Sequence, residues 1–216
     1  MPKPLVQLQG VPMIERLLRI FVSCRAQELC VIINSQQPAT AALLAKLQRE
    51  LPHLRVVVKD TPSSLHSFYE LSPYLRDDKF CLTTVDTVFH AREFVRCIQA
   101  FEASHEDGLM GVTSFVDDEK PLYVSTDEDS IIDGFYDTRA PHCHYVSGGI
   151  YCLTPRSIDV LERCVKEGVS RMRNFQRRLV SEGLRLKAYP FDTIFDVDHV
   201  DDIAKANHFL NPDFQP

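Results

Sequence analysis

The sequence predicts an α/β protein, a mostly parallel mixed sheet with helices on both faces. Two observations predict it. Short apolar runs alternate with amphipathic stretches through most of the chain, the cadence of repeated strand–helix units. The 216 residues are 44% hydrophobic and 25% charged, which is globular composition and excludes a disordered tail protein. No internal repeat, low-complexity segment or Pro/Gly/Ser-rich linker interrupts the pattern, so a single domain over residues 1–216 is expected.

Each element has its own reason. From Pro12 to about Ser23, Ile14, Leu17, Leu18 and Phe21 recur at helical spacing behind a proline suited to a first turn. Leu29–Asn34 reads as a buried strand closed by a turn residue. Residues 39–50 put Leu43, Leu44 and Leu47 on one helical face, and Leu54–Val58 is a β-branched strand. A helix over 65–75, a strand over 80–85, a helix over 92–103 and a strand over 109–115 continue the alternation. The rhythm then changes. Leu122–Ser125 and Ile131–Asp133 flank the acidic turn Thr126-Asp127-Glu128-Asp129, as in a hairpin. A strand over 146–153, helices over 155–166 and 171–182, a strand over 186–189 stopped by Pro190, and a helix over 200–209 complete the reading.

Charge and cysteine usage exclude several functions. The net charge of −6 and pI near 5.7 argue against a protein that coats nucleic acid. No apolar stretch approaches the roughly 18–20 residues of a membrane span, and the opening residues carry no signal-peptide core. A soluble, cytoplasmic protein is expected. Its seven cysteines form no C-x-x-C pair, so buried free thiols are expected, with neither a zinc site nor a disulfide framework. His142 and His144 flank Cys143 and would share one strand face, without further spaced ligands to complete a metal site.

Ligands of open α/β sheets bind beyond the carboxyl ends of the strands. Asp86 follows the apolar run ending at Val85. Phe195-Asp196-Val197-Asp198-His199-Val200-Asp201-Asp202 precedes the last helix. A strand-end carboxylate is costly to bury unless it meets a cation or donors. Two such groups meeting across a cleft would suit Mg²⁺, which binds through few carboxylates plus substrate phosphates. The bland readings are a loop cap for Asp86 and a first helical turn for Asp201 and Asp202. His90 and His199 adjoin the two aspartates and are expected in supporting or surface roles. The basic run Arg171–Arg178 reads as a helix with Met172, Phe175 and Leu179 in the core and arginines on the wet face.

Four segments together carry a resemblance. Lys3-Pro4-Leu5 through Leu18 looks like the stretch after the signature loop of the sugar nucleotidyltransferases. Thr83–Thr87 is similar to their strand-end aspartate motif, and Ser147-Gly148-Gly149-Ile150-Tyr151 to their "aGiY" strand. Phe195–Ala206 resembles their closing "DvDtpeDl..A" segment. The matches run in family order along almost the whole chain. The resemblance implies a GT-A-like, Rossmann-like nucleotide-diphospho-sugar transferase fold. It also implies an enzyme that joins an NTP to a phosphorylated sugar or related alcohol and releases pyrophosphate. By this carry-over Asp86 and Asp198 hold Mg²⁺ against the triphosphate, Asp86 also serving the nucleotide, and Lys3 is the signature lysine on the phosphates. The backbone at Gly148 and Gly149 approaches the sugar. Thr61, Ser63 and Ser64 follow a strand where the family places base and ribose contacts, or they form an ordinary turn. Expected partners are the NTP and sugar-phosphate substrates, with a homo-oligomer also in view and no membrane or nucleic acid.

The sequence also departs from the family. The family's first strand and Gly-rich G-x-G-x-R loop precede the K-P-L segment, whereas here Met1-Pro2 does, so the sheet is expected without its first strand. The E-K-P motif of the family's sugar site has no clear counterpart, Arg139 near Pro141 being a substitute to consider. Two other classes compete: a degenerate, non-catalytic nucleotide- or sugar-binding relative, and a glycosyltransferase of the same fold. The second is disfavoured because Val85-Asp86-Thr87-Val88 carries no D-x-D.

Overall fold

The computed structural model describes residues 2–211. The chain divides into two compact units, one made of the stretches up to Asp60, Val85–Val95 and from Asp196 on, the other of Thr61–Thr84 and Arg96–Phe195.

In the first unit, Gln7–Leu8 (β1) and Val11–Pro12 (β2) form a small antiparallel hairpin. Its turn holds Gln9 and Gly10 at φ of 50° and 77°. A glycine takes that conformation without the Cβ penalty. Met13–Ser23 (α1) follows, then the parallel strands Leu29–Ile33 (β3) and Leu54–Val58 (β4), joined through Pro38–Glu50 (α2). Ile14 and Leu18 of α1, Leu44 and Leu47 of α2, and Leu29, Ile33 and Leu54 of the strands form one buried cluster. Burying a side chain of this size contributes about 1.5–3 kcal/mol. The helical face predicted from the leucine spacing is the face buried. Thr87–Val88 (β6), the start of Ala91–Ala103 (α4) and Val200–Phe209 (α7) belong to this unit too.

The second unit is built on a six-stranded mixed sheet. Phe80–Thr83 (β5), Gly108–Thr113 (β7), Tyr123–Thr126 (β8), Ile132–Tyr136 (β9), Cys143–Leu153 (β10) and Leu186–Phe191 (β11) compose it, in the order β11-β7-β10-β8-β9 with β5 also on β10. Phe195–Asp196 (β12) follows β11 in sequence. Ser64–Leu71 (α3), Arg156–Lys166 (α5) and Met172–Ser181 (α6) cover one face, where Phe68, Leu161, Phe175 and Leu179 meet Met110, Val112 and Leu153. The alternation of a strand sends Cys152 to the opposite face. There its thiol is hydrogen-bonded to that of Cys97 on α4, which together with burial raises the Cys97 pKa.

The α/β class with a mixed sheet and helices on both faces is therefore as the sequence predicts, with two differences in detail. The sheet is less parallel than expected: β10 runs antiparallel to β5, β7 and β8, and β8 to β9, while β11–β7 is the parallel pair. Strand β11 also continues through Pro190, which was expected to stop it. It is an end strand of the sheet order, where a missing backbone N–H is tolerated. The acidic turn between β8 and β9 is organised by Asp127, whose carboxylate accepts the backbone N–H of Asp129 and of Ile131 at 2.9 and 2.8 Å. All seven cysteines are free thiols.

Candidate active site

Three side chains from distant parts of the sequence converge in the first unit. Lys3 lies on a single 3-10 turn, Lys3–Leu5, which hydrogen bonds from Leu5 N–H to Pro2 and from Val6 N–H to Lys3 close. Its Nζ donates to Asp86 Oδ2 at 2.8 Å and to Asp198 Oδ1 at 2.5 Å. Burial alone would lower the lysine pKa. The hydrogen bonds to Asp198 and Asp86 outweigh it, so the ammonium is held above its ordinary value.

The two aspartates are held by backbone geometry. Asp86 sits in the turn between β5 and β6, and its carbonyl accepts the Val197 N–H at 2.9 Å, which ties the two acidic loops together. Immediately after β6, the Phe89 carbonyl accepts a bond at 2.8 Å from the Arg16 guanidinium of α1. Burial pushes the Arg16 pKa down to about 10, so it stays charged at neutral pH. On the other side, the Asp202 carboxylate accepts the N–H groups of Asp198 and His199 at 3.0 and 2.7 Å. That is the reach-back of a third-position acid onto its helix start, so Asp202 caps α7 and orients the loop carrying Asp198. The expectation of a first-turn role for Asp202 holds. The His90 ring packs against that of Phe209, their centroids 4.0 Å apart.

The other predicted residues lie in the second unit. Thr61 Oγ1 is 2.6 Å from Ser67 Oγ, and Ser63 Oγ is 2.9 Å from His66 Nδ1, so both hydroxyls are engaged at the start of α3. Ser64 is exposed, with no side-chain partner among the described residues. Gly148 and Gly149 form a bulge in β10, where the register against β7 jumps between Ser147 and Ile150. Gly149 has φ of 73°. A Cβ at Gly148 would crowd Ile194 Cδ1 and come within 3.2 Å of the Gly111 carbonyl. Beside the bulge, Ser147 donates to the buried Gln176 on α6 at 2.9 Å. Among the described residues, no three acidic, imidazole or thiol side chains gather as metal ligands, the His142–His144 segment included.

An ammonium clamped by two loop-end carboxylates on an α/β scaffold is an arrangement suited to polyphosphate and a divalent cation. The profile of the MobA-like NTP transferase domain matches residues 1–182, and the chain belongs to that family. Two solved structures share the fold. The inositol-1-phosphate CTP transferase from T. maritima matches with a TM-score of 0.77 and 18% identity, over 95% of this chain and 87% of the other. A Bacillus anthracis protein, provisionally named a glucose-1-phosphate thymidylyltransferase and solved with sucrose, matches with a TM-score of 0.82 and 15% identity, over 99% and 89%. Comparison with curated proteins by sequence gives no match. No helix among the described residues is long and apolar enough to cross a membrane.

Proposed function

We propose that the protein is a Mg²⁺-dependent nucleotidyltransferase that joins an NTP to a phosphorylated sugar or related phosphorylated alcohol, releasing pyrophosphate. The observation that carries the reading is the convergence of Lys3, Asp86 and Asp198, 2.8 and 2.5 Å apart across the ammonium, in a chain of the NTP transferase family. The names of the two structural neighbours, both transferring a nucleotide to a cyclic polyol phosphate, support the acceptor class.

The donor set fits the cation, because two carboxylate oxygens already converge on a single positive charge. Asp86 and Asp198 would hold Mg²⁺, which supplies charge neutralisation along the triphosphate when bound. The Lys3 ammonium would donate to phosphate oxygens and stabilise the charge that leaves on pyrophosphate. An acceptor phosphate oxygen forms the new bond to the α-phosphorus while the bond to the bridging oxygen breaks. The nucleophile is already anionic, so this chemistry needs positioning and electrostatics and no serine, cysteine or histidine base. Thr61, Ser63 and Ser64 are proposed for the nucleotide, and the Gly148–Gly149 backbone for the sugar, within one nucleotidyltransferase-like domain over 1–216. A cytoplasmic location suits seven free thiols.

Pyrophosphate release from a panel of NTPs paired with glucose 1-phosphate, inositol 1-phosphate and other monoesters tests the reading. One pair giving Mg²⁺-dependent release with the matching nucleotide-linked product is expected. MgNTP binding without release from any pair would instead favour a binding relative of the family.

A further inference from the structure

Three of the seven thiols gather on one face of the six-stranded sheet. Along β5, Phe80 and Leu82 turn to the core shared with α3, α5 and α6, so Cys81 between them points to the opposite face. Cys152 of β10 points there too, hydrogen-bonded to Cys97 of α4. The strand register sets Cys152 directly opposite Cys81. Cys81, Cys152 and Cys97 are therefore successive neighbours, from strand to strand to helix.

The backbone fixes how closely the first two approach. Thr154 N–H donates at 2.9 Å to the carbonyl of Asp107, the residue before β7. Strand alternation turns the amide of Cys152 to the same side, so its backbone bonds go to β7 and not to β5. Cys152 and Cys81 thus form a non-hydrogen-bonded antiparallel pair, in which the Cα atoms lie about 4.5 Å apart and the side chains are close. That spacing is within the roughly 4.4–6.8 Å that a disulfide spans. The thiols differ in access. Cys97 and Cys152 are fully buried, whereas Cys81 is half-buried. The hydrogen bond to Cys152 and burial both raise the Cys97 pKa, so Cys97 stays protonated as well as shielded. An oxidant arriving from solvent meets Cys81 first, and the sulfur across the strand pair is that of Cys152.

We propose that Cys81 and Cys152 form a redox modification site, oxidised by a peroxide to a reversible disulfide that links β5 to β10. The Cys81 thiolate attacks one oxygen of hydrogen peroxide. The O–O bond breaks, and hydroxide leaves and takes up the thiol proton as water, with a sulfenic acid left on Cys81. The Cys152 sulfur then attacks the Cys81 sulfur. The S–O bond breaks, and the oxygen departs as a second water with the Cys152 proton. The two thiols lose two electrons and the peroxide gains them. A dithiol reductant restores both thiols by exchange. The site stands apart from Lys3, Asp86 and Asp198 and does not rest on the nucleotidyltransferase reading.

The test treats the native full chain with hydrogen peroxide, quenches with acid, alkylates, digests without reductant and maps linked peptides by mass spectrometry. A Cys81–Cys152 link is expected, with loss of two of the seven titratable thiols and recovery of both on adding dithiothreitol. Cys81→Ser should abolish the link and leave Cys97 and Cys152 reduced. Cys152→Ala should stop the reaction at the Cys81 sulfenic acid, which dimedone traps. Cys30→Ser removes another half-buried thiol, on β3, and should leave the link unchanged. Melting curves check the fold of each variant, and the wild-type map needs no variant at all. Cys81 staying reduced while Cys24 or Cys30 is oxidised would overturn the proposal. So would a Cys97–Cys152 link that forms equally in Cys81→Ser, or Cys81 passing on to sulfinic acid with Cys152 still reduced.

Discussion

Replacing Lys3 with alanine removes one ammonium from between two carboxylates, and the structure gives the size of two separate consequences. The first is stability. The three side chains are 43%, 21% and 58% exposed, so both contacts are solvent-screened ion pairs. Such pairs contribute about 0–1 kcal/mol each. The loss is then about 1–2 kcal/mol at most, a fall in Tm of roughly 2–8 °C for a chain of this size. The sign of the pH dependence follows from the raised lysine pKa. A cation favoured by folding contributes fully below its unfolded value of about 10.4 and loses that contribution as pH rises through the higher folded value. The Tm difference between wild type and Lys3→Ala should therefore be flat from pH 6 to 9. The second consequence is catalytic. Removing a preorganised donor from a developing negative charge costs about 10²–10³ in kcat. Differential scanning calorimetry and a pyrophosphate-release assay, run on the same preparations, separate the two. A near-normal rate in a variant that melts several degrees lower would make Lys3 a structural residue and refute the argument.

Three further outcomes follow from the same geometry. Asp86→Ala and Asp198→Ala should each weaken MgNTP binding by at least about tenfold, since removing either partner breaks a charge-assisted site, while Tm moves by only a few degrees. Unchanged affinity in both variants, by isothermal titration, would remove the metal assignment. Gly148→Ala should destabilise the fold by about 1–3 kcal/mol, as overpacking does, because the new methyl crowds the Ile194 side chain and comes to 3.2 Å from the backbone carbonyl of Gly111 in β7. Adding Ile194→Ala should recover part of that Tm loss, and no recovery would show that the strain lies in the bulge backbone.

Much of the fold was legible because periodicity reports burial. Leu44 and Leu47, with Leu43 packed against them, and the stripe Phe175–Leu179 are in the core that their spacing predicts. Strand direction was less legible. A run such as Val146–Leu153 looks the same whether its neighbours are parallel or antiparallel, and only the hydrogen-bonding register of β10 shows which. Pro190 misled for a related reason, since its effect depends on whether the strand lies at an edge. At the site, Lys3, Asp86 and Asp198 were readable from motifs and strand ends, and the ammonium does reach both carboxylates. The sequence gives one reason for a glycine at 148, an approaching sugar, and the structure adds a second, since a Cβ there would crowd Ile194, 46 residues later in sequence. No local pattern carries that contact. The thiol cluster was hidden in the same way: Cys81 and Cys152 are far apart in the sequence, and only the register of β5 against β10 sets them opposite each other.

Asp86 and Asp198 are proposed to bind the metal of an NTP while Lys3 turns to its phosphates. A crystal structure with the Mg²⁺ complex of whichever NTP binds most tightly in titration tests it most directly. Mg²⁺ ligated by both carboxylates is expected, with the Lys3 ammonium moved from the aspartates onto phosphate oxygens. A nucleotide bound elsewhere, or Lys3 still clamped between Asp86 and Asp198 with the metal held by other groups, would contradict it.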